Sequence, residues 1–76
     1  MREVFLRTEE IGLVQFLKWT GLAGTGGEAR VLVAEGLVTV NGGRETRCGR
    51  RLRAGDRVTV GDGEEILLCA GRGKEE

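Results

Sequence analysis

Histidine, serine, proline and tyrosine are absent from this 76-residue chain, and cysteine occurs only twice. Without histidine or serine, neither cysteine has an evident base beside it and the commonest hydroxyl nucleophile is missing. Glu9 and Glu10 are adjacent, so on a helix they would point apart instead of forming a catalytic pair. The run Gly24-Thr25-Gly26-Gly27 lacks the lysine and spacing of a nucleotide phosphate loop. Cys48 and Cys69 fall short of the ligand sets of structural or catalytic zinc. Both are read as reduced thiols, Cys69 as an apolar filler and Cys48 as a loop residue. No enzyme activity, metal or cofactor is expected.

Long apolar runs are missing too. None approaches the ~18–20 residues that cross a bilayer, and the opening MREVFLRTEE has no apolar signal-peptide core. A cytoplasmic address without a membrane partner is expected. A chain of this length makes one domain, which buries only ~60% of the surface exposed on unfolding. Little room remains for a substrate pocket, so composition favours a binding module.

Net charge is zero, with twelve basic and twelve acidic residues. Distribution matters more than the sum. Between Arg44 and Arg57 stand six arginines (44, 47, 50, 51, 53 and 57) against Glu45 and Asp56. The remainder carries six basic residues and ten acids, so the chain is electrically split.

Arg2 to Arg7 reads as a short edge strand or arm. Thr8, followed by Glu9 and Glu10, fits the N-cap and first turn of a helix. Ile11, Val14 and Leu17, widened by Leu13 and Phe16, continue it at helical spacing. Gly21 is the expected stop, and Trp19 is expected to pack at the helix end rather than serve as a stacking platform. Thr25 can cap a second helix, with Glu28 completing a capping box. Ala29, Leu32, Val33 and Gly36 then mark one narrow face. Beyond Leu37 the period changes: Val38 and Val40 alternate with Thr39, and Asn41-Gly42 signals a tight hairpin turn. Glu45 to Arg47 fits the return strand. Leu52 to Asp56 reads as a turn, Arg57 to Val60 as a strand, Gly61 to Gly63 as a turn and Glu65 to Cys69 as a last strand. The expected fold is α+β, two short helices packed on a small antiparallel sheet. The domain is placed over 1–70, with a polar tail at 71–76.

The string from Gly27 to Gly42, GEARVLVAEGLVTVNG, followed by Leu52 to Asp56, LRAGD, resembles the alpha-L RNA-binding motif. That motif occurs in small-subunit ribosomal protein S-four, many pseudouridine synthases and some tyrosyl-tRNA synthetases. The fuller pattern from Thr25 to Asp56 resembles short, free-standing bacterial proteins consisting of little else. The resemblance spans about Glu3 to Cys69. It implies binding to structured RNA by the second helix and the following hairpin. Residue by residue, it points to Arg30, Arg44, Arg47, Arg50 and Arg51, with Lys18 on the first helix as a further candidate. Gly26 departs from the pattern, because many members carry a basic residue there.

Residue chemistry agrees. An A-form helix hides its bases in a narrow major groove and is gripped through phosphates, 2′-hydroxyls and shape. Arginine offers a planar fork to a phosphate. Thr25, Thr46 and the Gly26 and Gly27 N–H groups add neutral donors, those near Thr25 at a helix N-terminus. Single-strand binders rely on exposed aromatics, and only Phe5, Phe16 and Trp19 are present. The expected partner is therefore structured RNA, rRNA or tRNA, on the ribosome or its precursors, bound by a monomer. The rival reading is an adaptor whose basic face docks on an acidic protein.

Overall fold

The computed structural model describes residues 2–71. The strands are β1 (Arg2–Leu6), β2 (Ile11–Gly12), β3 (Val38–Val40), β4 (Gly43–Arg44), β5 (Arg51–Leu52), β6 (Arg57–Val60) and β7 (Ile66–Ala70). The helices α1 (Leu13–Trp19) and α2 (Gly26–Ala34) lie between β2 and β3. Five strands form one sheet in the order β1-β7-β6-β3-β4, and β2 pairs with β5 in a separate ladder. The α+β architecture stands, with one correction to the sheet. β1 joins β7 in parallel, Arg2 opposite Ile66 and Leu6 opposite Ala70, so the sheet is mixed. Nearly the whole domain separates these two strands, so no tight turn forces them antiparallel.

A seven-residue helix is marginal in isolation and depends on tertiary packing. α1 is held because Leu13, Phe16 and Leu17 are fully buried. They meet Ala29 and Val33 of α2 and an inward row from the strands: Val38, Val58, Ile66 and Leu68. Burial alternates along β3 and β7, as expected of a sheet covered on one face. No helix among the described residues is long and apolar enough to cross a membrane.

The start of α1 differs from expectation. Its N-cap is Gly12, with no side-chain cap bond. Thr8 lies outside the helix and donates its hydroxyl to the Glu10 carbonyl at 2.7 Å. Long-range pairing overrides the local capping signal: Ile11 and Gly12 are drawn out as β2 against Leu52 and Arg51. The Leu13 amide continues this link by donating to the Arg50 carbonyl at 2.8 Å. α1 is thereby tied at its first residue to the arginine-rich segment.

α2 begins as expected, Thr25 Oγ1 accepting from the Glu28 amide at 3.0 Å. The return half of the capping box is displaced, because Glu28 Oε1 accepts from the Gly24 amide at 2.7 Å instead of from Thr25. Asn41 (φ 55°) and Gly42 (φ 85°) both adopt positive φ in the hairpin turn, the conformation of a type I′ turn. Asn41 also clamps the next turn. Its Nδ2 donates to Asp56 Oδ1 at 3.1 Å, and its Oδ1 accepts from the Arg57 amide at 2.9 Å. The return strand is only Gly43–Arg44, followed by one further bond from the Glu45 amide to the Val38 carbonyl. Past Glu45 the backbone leaves the sheet for a physical reason described below. Both cysteines are free and partly buried. The tail at 72–76 lies outside the described residues.

Candidate nucleic-acid interface

Glu45 organises the segment after the hairpin. Among the described residues it is the one charged side chain classed as buried, 7% exposed. Its Oε2 accepts from the Arg47 amide at 3.0 Å and from Arg47 Nε at 3.2 Å. Its Oε1 accepts from an Arg50 guanidinium nitrogen at 3.0 Å. The Arg47 amide bond, more than any other contact, holds this carboxyl below its ordinary value of 4.5, and the Arg47 and Arg50 side chains add to it against the opposing effect of burial. The carboxylate takes the Arg47 amide away from any strand partner, so residues 45–47 curl where a return strand was expected.

This carboxylate sorts the arginines. Arg50 is only 30% exposed at its side chain and also donates Nε to the Arg51 carbonyl at 3.2 Å. It is a brace inside the loop. Arg47 keeps 78% of its side chain exposed although it touches Glu45. Arg51 and Arg53 both reach Glu10, at 3.5 and 3.2 Å, and remain 66% and 72% exposed. Exposed pairs of this kind are screened and contribute little, so these guanidinium groups remain available to a stronger anion.

Arg30, Arg44 and Lys18 differ. Among the described residues none of the three has an ion-pair partner. Arg30 is exposed on α2, and its carbonyl lies 3.9 Å from Cys48 Sγ, so the middle of α2 borders the Glu45 loop. Arg44 is exposed on β4, its side chain drawn across Gly36 just beyond α2. Gly36 has φ 77°, and a Cβ there would stand 3.0 Å from Arg44 Cδ. Glycine thus provides both the turn and the room for the arginine.

Lys18, Gln15, Gly26, Cys48, Gly49 and Arg51 line one open cleft where α1, the start of α2 and the loop before β5 meet. Arg47, Gly49, Arg50 and Arg51 line the adjoining depression. Thr46 is exposed in this loop. Thr25 is exposed at the α2 N-terminus, where its oxygen already caps the helix. Lys18 of α1, the start of α2 and residues 47–51 are therefore neighbours, while Arg44 lies against Gly36 beyond the C-terminal end of α2.

Sequence reasoning did not identify Glu45 or Glu10 as the residues that hold these arginines. Glu45 carried a signal, being one of two acids inside the arginine stretch. Glu10 carried none, because its partners lie far along the chain. Trp19 does pack on Phe16, ring centroids 6.2 Å apart, yet it remains 51% exposed. Among the described residues no group of three or more His, Cys, Asp or Glu side chains is placed to hold a metal ion.

The model of the S4 domain matches residues 4–68, which span both helices and all the strands except the first two residues of β1 and the last two of β7. No match was found among curated proteins. With most of its length inside that match, the chain belongs to the S4 domain family, a family of RNA-binding modules that are not typically enzymatic.

Proposed function

We propose that this protein is a non-enzymatic module that grips structured RNA (rRNA, a ribosome precursor or tRNA) through a composite of α1, α2 and the 44–51 segment. It acts as a cytoplasmic monomer. Arg30, Arg44, Arg47, Arg51 and Lys18 contact phosphates, Thr25 and Thr46 add neutral hydrogen bonds, and Arg50 keeps the loop in shape. The observation that carries the reading is the trio of cations without carboxylate partners beside the exposed Arg47 and Arg51. Nothing among the described residues neutralises Arg30, Arg44 or Lys18, whereas a phosphate backbone would.

Arg30→Glu combined with Arg44→Glu tests it. Both side chains are exposed and have no ion-pair partner among the described residues, so the circular dichroism spectrum should stay unchanged while affinity for a blunt RNA hairpin falls by at least about tenfold, in line with the steep dependence of such binding on charge. Undiminished RNA binding by that variant would refute the site. If partners crosslinked in cells are unaffected by nuclease, the acidic-protein adaptor replaces the RNA reading.

A further inference from the structure

Trp19 ends α1 with its indole edge-on to Phe16, ring planes at 71°. Phe16 is wholly buried, whereas Trp19 is 51% exposed. The indole is therefore anchored by the core while half of its surface lacks protein cover.

It forms one wall of a groove whose other apolar walls are Leu6 and Ile11, with Arg7 and Lys18 at its margin. Glu10 also lines the groove, but its carboxylate oxygens are engaged by Arg51 and Arg53. Gln15 and Lys18 line both this groove and the cleft that holds Arg51 and Gly26. The groove and the cationic cleft are thus two sides of one ridge on α1.

A nucleotide matches that combination, with a flat π face for an indole and a phosphate for Lys18 and Arg7. A base inside a continuous duplex is stacked on both faces and cannot reach Trp19, but an unpaired one can. We infer that the Trp19 groove receives one unpaired base adjoining the helical segment held by the cationic cleft. The preferred target is then a junction between duplex and single strand. This rests on the RNA-binding reading above and specifies what kind of RNA satisfies it.

The test compares a blunt RNA hairpin with the same hairpin carrying a short single-stranded extension. Binding is followed by anisotropy of labelled RNA and by the emission of Trp19, the one tryptophan in the chain. The extension should tighten binding by at least about fivefold, the lower end of what one stacked base contributes, and should change Trp19 emission. Trp19→Ala should abolish the preference yet bind the blunt hairpin as the unmodified protein does, and Trp19→Phe should restore part of it. The comparison of the two RNAs on the unmodified protein stands even if Trp19→Ala fails to fold. Equal affinity for both RNAs, with unchanged emission, would overturn base docking while leaving the RNA-binding reading intact. Failure to bind either RNA would overturn both. Emission that depends on protein concentration without RNA would give the groove to a second copy of the chain and overturn the inference.

Discussion

Two groups of arginines share this small surface and do different work. Arg47 and Arg50 converge on the buried Glu45 carboxylate at 3.2 and 3.0 Å. Arg30 and Arg44, on the neighbouring helix and hairpin, meet no carboxylate among the described residues. The first group spends part of its charge shaping a loop, and the second meets no neutralising carboxylate among the described residues. Arginines indistinguishable by composition are thus divided by one acidic side chain.

The largest expected effect breaks the first group. Glu45→Ala leaves the half-covered Arg50 guanidinium without its acceptor and frees the Arg47 amide. Hydrogen bonds to charged groups contribute about 1.5–3 kcal/mol each. A loss within that range would lower Tm by at least about 4 °C in a domain of this size. Thermal denaturation of the single variant measures it, and an unchanged Tm would show that the loop does not depend on Glu45.

Acid should produce a milder version of the same loss. The Glu45 carboxyl titrates below its ordinary value in the folded protein. Its contribution is therefore fully present above its ordinary value of 4.5 and disappears as pH falls through the lower folded value. Between those limits the unmodified protein should lose stability more steeply than Glu45→Gln. Parallel pH profiles of Tm would contradict that role.

What could be read from the sequence follows how local the cause is. The Thr25 cap, the Asn41-Gly42 turn and the alternation in β3 and β7 each arise within a few neighbouring residues, and each is found where expected. Thr8-Glu9-Glu10 satisfies the same kind of local rule and fails, because Ile11 and Gly12 pair with residues on the far side of both helices. The parallel register of β1 on β7 and the embrace of Glu10 by Arg51 and Arg53 are long-range in the same sense. The family resemblance pointed to the arginines of the proposed face. It could not separate brace from contact residue, because that division depends on Glu45 folding back beneath its own loop. Exposure of Trp19 was hidden for a related reason: its spacing beside Phe16 is equally compatible with a covered helix end.

The second group is expected to leave stability almost untouched, since Arg30, Arg44 and Lys18 are exposed and unpaired among the described residues. The decisive measurement is therefore the salt dependence of affinity for a blunt RNA hairpin, comparing the unmodified protein with the triple variant Lys18→Ala, Arg30→Ala, Arg44→Ala. Removing one cation from the phosphate backbone should make the slope of log K against log salt shallower by about 0.9. The variant should thus show a slope shallower by about 2–3, with Tm unchanged. Identical slopes for the two proteins would contradict the assignment of these three cations to the RNA backbone.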